Sequence, residues 1–419
     1  MHKTKVALAS AMIGNIVEWY DFSLYASATP LVFSRMFFSQ KHDPFFIQVE
    51  AIALFGTGFL VRPGGGMLFG YIGDRYGHLV SLRWTLFLIG VATALIGILP
   101  TYAQIGVSAP LLLLLLRLIQ GGAAGGEWAG SVLVLGGAIQ TNSKSRHLML
   151  ALSQSGVALG MVLGTGAMWL LRQLPEEEFL SWGWRIAFLA TLPFVVLGIF
   201  LRSSLTAAPV RTHASPVSSF RALFCEPVAI LRGIGVRLSE NGGIYLISVF
   251  GLAYGRSCHV SDSILLAAVT CGLAVDGLMM PIFGWLSSRW DHSRIYLFGI
   301  VALAVLIVPF FSLVAAGQPT SVILAFAFIM MLAHAPMIAV EPHLLEKLFP
   351  AHCRYSGIAV SHEFGSIIAG GVSPLLAAFL YHETGSVNGV IVYVFLLAIC
   401  SAAALYWPAK RSKDHSSLS

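Results

Sequence analysis

Charge is what this chain is short of. Asp, Glu, Lys and Arg make up 11% of its 419 residues, against about 25% in a soluble globular protein. Too little polar surface remains to cover a folded chain in water, so the sequence describes an integral membrane protein. Alternation of apolar and polar residues over about ten positions, the mark of a barrel, is also missing. The apolar runs are continuous and about 20 residues long, the length of a spanning helix. Cysteine is sparse: Cys225, Cys258, Cys271, Cys353 and Cys400 stand apart without a CxxC pair. They read as small buried hydrophobes, with neither a disulfide framework nor a metal centre. There is no GxxxxGK loop, so ATP is not the expected energy source. No nucleophile–base or metal-ligand cluster stands out, which argues against an enzyme. The net charge of +6 lies in short loops between apolar runs, where it sets orientation and is no sign of nucleic-acid binding.

What the chain does have is twelve apolar segments between residues 8 and 407. Lys3 and Lys5 before the first imitate a signal peptide, but Glu18 and Asp21 within it, and no cleavage site after it, mark a retained first helix. The longest polar connection, 203–229, carries Pro209, Pro216 and Pro227 among serines and arginines. It reads as a linker between six helices and six. The expected organisation is a bundle over 1–202, a cytoplasmic linker over 203–229, a second bundle over 230–407 and a cytoplasmic tail over 408–419. With both ends cytoplasmic, 18 of the 25 Lys and Arg fall on the inner side and 5 on the outer, Arg62 and Arg117 lying within helices. That is a decisive positive-inside bias.

Between the second and third segments lies Gly70-Tyr71-Ile72-Gly73-Asp74-Arg75-Tyr76-Gly77-His78. Gly70 and Gly73 let a helix end come close to a neighbour, Gly77 supplies a turn with positive φ, and Asp74 and Arg75 stay wet, Arg75 holding the loop on the cytoplasmic side. The skeleton returns 214 residues later as Gly284-Trp285-Leu286-Ser287-Ser288-Arg289-Trp290-Asp291-His292. At the same offset Glu127 falls on Glu341 and Arg62 on Asp276; at 208, Arg146, Ser153 and Gln154 fall on Arg354, Ser361 and His362. A repeat at about half the chain length means duplicated six-helix halves.

An ionisable side chain in hydrocarbon costs about 2.5–3.5 kcal/mol on insertion scales, so each one is a functional candidate. Gly14, Glu18, Asp21 and Tyr25 are spaced 4, 3 and 4 apart and share one face of the first helix. Counting about 1.5 Å per residue puts Asp21 and Arg117 at similar depth. Such a pair is either a coupling element or a static ion pair that fixes packing. Glu127, ten residues beyond Arg117, turns off its face and lies near the depth of Arg62. An Arg62–Glu127 pair is either functional or a salt bridge that closes the inner side. In the second half Arg237 and Glu240, at i and i+3, are placed to pair locally. Asp276, Glu341, Glu363 and His362 are further buried candidates, His362 being a proton relay or a packing residue. Gly156, Gly160 and Gly164 form a smooth face for close helix approach. Tyr25 and Trp128, the latter eleven residues from Arg117 and on its face, are candidates to line a cavity, although aromatics inside helices usually pack.

Several runs resemble the major facilitator superfamily of secondary transporters. The Gly70–His78 loop is similar to the motif that joins the family's second and third helices. Gly14-Asn15-Ile16-Val17-Glu18-Trp19-Tyr20-Asp21-Phe22, Arg62-Pro63-Gly64-Gly65, Arg117-Leu118-Ile119-Gln120-Gly121 with Gly125-Gly126-Glu127, and Trp182-Gly183-Trp184-Arg185 resemble one branch, the metabolite:proton symporters of organic acids, shikimate, proline or betaine. The resemblance covers nearly the whole chain. It implies an all-α polytopic protein of the major facilitator fold, with twelve transmembrane helices in two pseudo-symmetric six-helix bundles and helices 1 and 4 lining the cavity. It also implies a multi-pass protein of the bacterial inner membrane with both termini cytoplasmic. The repeated loops become the latch of the inner gate, with Gly70, Asp74, Arg75, Gly77 and Arg289 as its residues. The chain departs from the pattern in four places. His78 and Leu79 stand where two basic residues usually close the loop, Ser288 where the second copy usually has an aspartate, and Ala138 where an acid usually follows helix 4; the segment after helix 6 lacks its usual Glu.

The expected function is proton-coupled symport of a small metabolite by alternating access, best an organic acid such as a carboxylate or shikimate-like anion. Arg117, Tyr25 and Trp128 are the expected substrate residues, Asp21, Glu18 and Glu127 the coupling acids, and Arg62, Arg237, Glu240, Asp276 and Glu341 a charge network. The partners are the substrate, protons and the lipid bilayer; no cofactor is expected beyond a proton gradient, and the chain is expected to be a monomer. One alternative is a drug:proton antiporter on the same fold, which Arg62 and Arg117 oppose because a lipophilic cation wants an acid without a cationic anchor. Another is a non-transporting sensor, for which the altered loop motif speaks.

Overall fold

The computed structural model describes residues 2–39, 44–139, 144–205, 226–350 and 353–407. The expected linker 203–229 lies outside them except at its ends, as do the tail 408–419 and Cys225. Among the described residues the apolar runs fold as helical rods and there is no strand. In the first half these are α1, His2–Ala28 continued by Thr29–Phe33 and Ser34–Met36; α2, Pro44–Tyr76; α3, His78–Ile98; α4, Ser108–Gly137; α5, Lys144–Leu171; and α6, Glu176–Ser203. In the second they are α7, Pro227–Tyr245 continued by Leu246–Phe250 and Gly251–Ser257; α8, Asp262–Leu286; α9, His292–Ala315; α10, Pro319–Leu348; α11, Arg354–Thr384; and α12, Asn388–Tyr406.

Nine of the described rods, α3–α6 and α8–α12, are long and apolar enough to cross a membrane. The other three are the ones that carry Glu18 and Asp21, Arg62, and Arg237 and Glu240 to the interior. Large apolar side chains cover the outside: Leu60, Phe200, Leu231, Leu278 and Leu375 each keep about two-thirds or more of their surface exposed. Lipid seals such a surface and water does not. The chain is a multi-pass membrane protein.

Small residues decide how the rods meet. On α5 a Cβ at Gly156 would lie 2.8 Å from the Met12 carbonyl oxygen, and one at Gly160 2.6 Å from that of Ile16. Gly164 faces the Tyr20 carbonyl in the same way, so the glycine face lies directly on the α1 backbone. Gly121 of α4 meets Gly58 of α2, and Gly125 meets Gly66. Without a hydrophobic driving force between helices in lipid, such close backbone contact supplies the packing energy. The halves meet where α2 and α4 pack on α11, and α5 packs on α8 and α10.

Some rods contain a turn wider than the α-helical one: Thr29–Phe33, Phe179–Gly183, Leu246–Phe250, Met330–His334 and Ser366–Gly371. Each inserted turn rotates the residues beyond it off the face that a 3.6-residue period predicts.

Gly160→Leu should overpack the α1–α5 contact and destabilise by about 1–3 kcal/mol or more, read as a lower midpoint of thermal unfolding in detergent. Gly166→Leu, at an exposed position where a Cβ would meet nothing within 4 Å, should leave the midpoint in place. Equal effects of the two would refute the close-packing account.

Candidate functional site

The shared face of α1 is real and works as a staircase. Gly14 leaves room for the Glu127 carboxylate and the Arg202 guanidinium, where a Cβ would collide with both. One turn on, Glu18 accepts from Arg62 at 2.5 Å. Asp21 accepts from Gln120 Nε2 at 2.5 Å and Thr93 Oγ1 at 2.6 Å. Tyr25 lies under Arg117, whose guanidinium carbon is 4.3 Å from the ring centroid.

Arg117 is held unlike any other buried arginine among the described residues. Its Nη1 is 3.8 Å from Asp21 Oδ2, an ion pair without a hydrogen bond. Nε donates to the Phe55 carbonyl at 3.3 Å, and the Phe55 ring centroid is 4.9 Å away. Gly58 makes the space, since a Cβ there would sit 2.5 Å from Arg117 Nε. The guanidinium thus rests on two aromatic faces, with a carboxylate nearby that two neutral donors already satisfy. Glu18, Asp21, Phe22, Phe59, Arg62 and Arg117 line one cavity with Gln120.

Arg62, by contrast, is tightly paired. Besides Glu18 it donates through Nε to Glu363 Oε2 of α11 at 2.5 Å, an ion pair between the halves. His362 Nδ1 lies 2.8 Å from Glu363 Oε1, and its ring stacks on Trp128 with centroids 4.2 Å apart. The second half has its own chain of charge: Glu341 accepts from Arg237 at 2.5 Å, Glu240 lies 3.1 Å from the same guanidinium as an ion pair without a hydrogen bond, and His334 bridges Glu240 at 3.1 Å and Asp276 at 2.9 Å.

At one end of the rods the loop after α2 joins the halves. Asp74 accepts from the backbone N–H of Tyr355 and Ser356 at 3.2 and 3.1 Å and from Ser356 Oγ at 2.6 Å. A carboxylate there faces the positive end of the α11 dipole. Gly70 and Gly73 permit the approach, because a Cβ at Gly70 would lie 2.7 Å from Ser356 Cα and one at Gly73 would strike the Tyr355 ring. Gly77 has φ 105° and starts α3. Tyr355 reaches on to the Gly126 carbonyl at 2.6 Å, and Arg146 pairs with Glu346 across the same face.

Five expectations are corrected. Glu127 does not pair with Arg62; fully buried, it pairs with Arg202 and accepts from Thr85 Oγ1 at 2.6 Å. Equal depth is not adjacency: α4 turns Glu127 toward α3 and α6, while Arg62 faces α1 and α11. For the same reason Glu127 is not with Asp21 and Glu18 in the cavity. Trp128 stands away from Arg117, donating to Gln154 Oε1 at 2.9 Å, since eleven residues carry it about 16 Å along the axis. Arg75 and Arg289 are exposed and stay within their own loops, Arg75 on Tyr71 and Tyr76 and Arg289 over Trp285; Asp74, Gly70 and Gly73 make the contact. The charge network is also two networks, Arg62 standing apart from Arg237, Glu240, Asp276 and Glu341. Sequence reasoning missed Arg202, the last residue of the sixth apolar run, which counted only toward the inner-side charge, and His334, Thr93, Gln120 and Gly58. A cation in the last turn of the sixth apolar run, on the same side as Glu127, was the available signal for Arg202.

Family models match the two halves separately: Sugar (and other) transporter over residues 6–209 and Major Facilitator Superfamily over 234–419. The chain is 34% identical to the shikimate transporter of Escherichia coli, over 97% of this chain and 94% of the relative. It is 31% identical to the proline/betaine transporter of Salmonella typhimurium, over 95% and 82%. Among solved structures, the proton:xylose symporter XylE superposes with a TM-score of 0.76 at 13% identity, covering 96% of this chain and 94% of that one. The fucose:proton symporter FucP of E. coli gives 0.69 at 13%, covering 96% and 97%.

Arg202→Leu alone should strand the Glu127 carboxylate and cost about 3–5 kcal/mol of stability, whereas Glu127→Leu combined with Arg202→Leu should recover most of it. A double-mutant cycle on unfolding in detergent reads this out; additive losses would contradict the pairing.

Proposed function

Because the chain belongs to the major facilitator superfamily, a family of secondary transporters and not of enzymes, we propose that it is a proton-coupled symporter of a small organic anion. The observation that carries this reading is the loose hold on Arg117. A guanidinium stays charged at any relevant pH and has five donors. In a dry bundle it calls for an anion, and at 3.8 Å Asp21 only partly answers. A substrate carboxylate entering the cavity takes Arg117, with Tyr25 and Phe55 holding the guanidinium from the side.

Asp21 then loses its cation. An unpaired carboxylate in low dielectric favours the neutral form, so it binds a proton and is carried across with the substrate. Release on the other side restores the Arg117–Asp21 pair. Glu18 is the second coupling acid, tied to Arg62. The drive is the proton gradient: one proton carried with a monovalent anion moves no net charge, so the pH difference does the work, about 1.4 kcal/mol per pH unit. The positive-inside count supports cytoplasmic termini; the protein acts in the inner membrane as a monomer, and its Asp74 latch closes the cytoplasmic side.

Aromatic rings favour a second reading of the substrate. Phe22 and Phe59, which line the cavity, meet Tyr245 of the other half at 6.1 and 6.3 Å between centroids. Such faces attract a quaternary ammonium, so a betaine-like zwitterion would set its carboxylate on Arg117 and its cation on these rings. The shikimate and proline/betaine transporters among the relatives span both classes. Uptake of labelled carboxylates, shikimate-like acids and betaines into cells at two pH values separates them, and efflux of lipophilic cations with no uptake would instead favour a drug antiporter.

Arg117→Ala should abolish binding of the anionic substrate. Asp21→Asn should keep exchange between two loaded sides but lose uphill uptake driven by a pH gradient. Continued accumulation by Asp21→Asn would pass the coupling role to Glu18; normal binding by Arg117→Ala would overturn the anion reading. Asp74→Asn should slow transport while equilibrium binding holds, and equal loss of both would count against a gate.

A further inference from the structure

The second loop lacks the acid of the first. Where Asp74 reaches α11, Ser288 turns its hydroxyl back to the Trp285 carbonyl at 2.7 Å. The backbone approach is nevertheless kept: a Cβ at Gly284 would lie 3.0 Å from the carbonyl oxygen of His147 on α5. At this junction three imidazoles meet, His147 from the first half and His292 and His343 from the second. Their ring centroids are 4.8, 4.6 and 4.6 Å apart. One ring nitrogen of each, His147 Nδ1, His292 Nε2 and His343 Nε2, is buried without a hydrogen-bond partner among the described residues. One ligand nitrogen from each ring falls within 4.8 Å of the other two.

We propose that His147, His292 and His343 form a site for a divalent transition metal of the Zn2+ class that latches the two halves together on the loop face. Imidazole suits Zn2+, Co2+ and Ni2+, and three histidines with one open position are a known zinc arrangement. Tetrahedral bonds of 2.0–2.1 Å would set the nitrogens about 3.4 Å apart, so the rings need only draw inward. Two cations lie nearby. Arg146 is neutralised by Glu346, and Lys347 is exposed to solvent. A metal held by both halves binds the closed form alone and shifts the population toward it. On the orientation proposed above, that is the cytoplasmic face.

Co2+ titrated into the purified full-length protein should bind one ion per chain, with the visible bands of a tetrahedral site, and Zn2+ should displace it. His147→Ala, His292→Ala and His343→Ala should each weaken binding by about 100-fold, at least the scale on which metal sites respond to losing a supporting group; Lys347→Ala should not weaken it. His292 and His147 are partly exposed, so their variants test the site even if His343→Ala fails to fold. With spin labels at Tyr76 and Trp290 in a cysteine-free background, Zn2+ should enrich the short inter-loop distance, and His292→Ala should remove the effect. No tetrahedral spectrum, or binding unchanged in all three variants, would overturn the site; binding without a change in distance would overturn the latch. Neither readout needs the transported substrate, so failure here is distinguishable from failure of the symport reading.

Discussion

A guanidinium buried among apolar helices must be answered by negative charge, and most of the interior follows from how each one is answered. Arg202 is closed off with Glu127, and Arg237 with Glu240 and Glu341. Arg62 holds two carboxylates, one from each half. Arg117 alone of these four lacks a carboxylate within hydrogen-bond distance among the described residues, and it alone rests on aromatic rings in a cavity. The same residue type at similar burial therefore serves two ends. Tight pairs fix helix positions, and the loose one leaves the Arg117 guanidinium without a carboxylate at hydrogen-bond distance among the described residues.

Periodicity read from the sequence placed much of this. Gly14, Glu18, Asp21 and Tyr25 all point one way because α1 runs without a wide turn until Thr29, so a 3.6-residue count holds across them. Asp21 and Arg117 lie at one depth because rise per residue is nearly constant. The Asp74 loop was legible because three glycines, an acid and a base leave few conformations open. Depth, however, says nothing about which neighbour a side chain faces, and the Arg62–Glu127 pairing failed on that point alone. His334 failed differently. It ends the wide turn Met330–His334, which rotates it toward Asp276 and Glu240, and no regular period predicts that. The three loop-face histidines are far apart in sequence, and only the meeting of α5, α9 and α10 assembles them.

Backbone and chemistry repeat to different extents. The glycines that let a loop approach the other half recur at Gly70 and Gly284, and both make close contact, with Ser356 and with α5. The polar groups do not recur: Asp74 binds a helix N-terminus, while Ser288 bonds within its own loop and histidines stand beside it. Close packing constrains shape on both sides, whereas the polar group beside each glycine is free to differ.

The pair between the halves shows how a fold full of buried charge can still move. Separating Arg62 from Glu363 in low dielectric would leave two bare ions, a loss of several kcal/mol if nothing else answered them. Neither ion is bare here. Arg62 retains Glu18, on the same half, at 2.5 Å, and Glu363 retains His362, on its own half, at 2.8 Å. Each side of the cut carries its own remaining partner, one a carboxylate and the other an imidazole. The same arrangement at the loop face gives Arg146 the Gly136 carbonyl on its own half when Glu346 departs. Parting the halves at the Arg62–Glu363 pair therefore leaves each ion a partner on its own side, and the remaining cost lies in the hydrogen bonds of the Asp74 carboxylate to α11 and in neutral ones such as that of Tyr355 to Gly126.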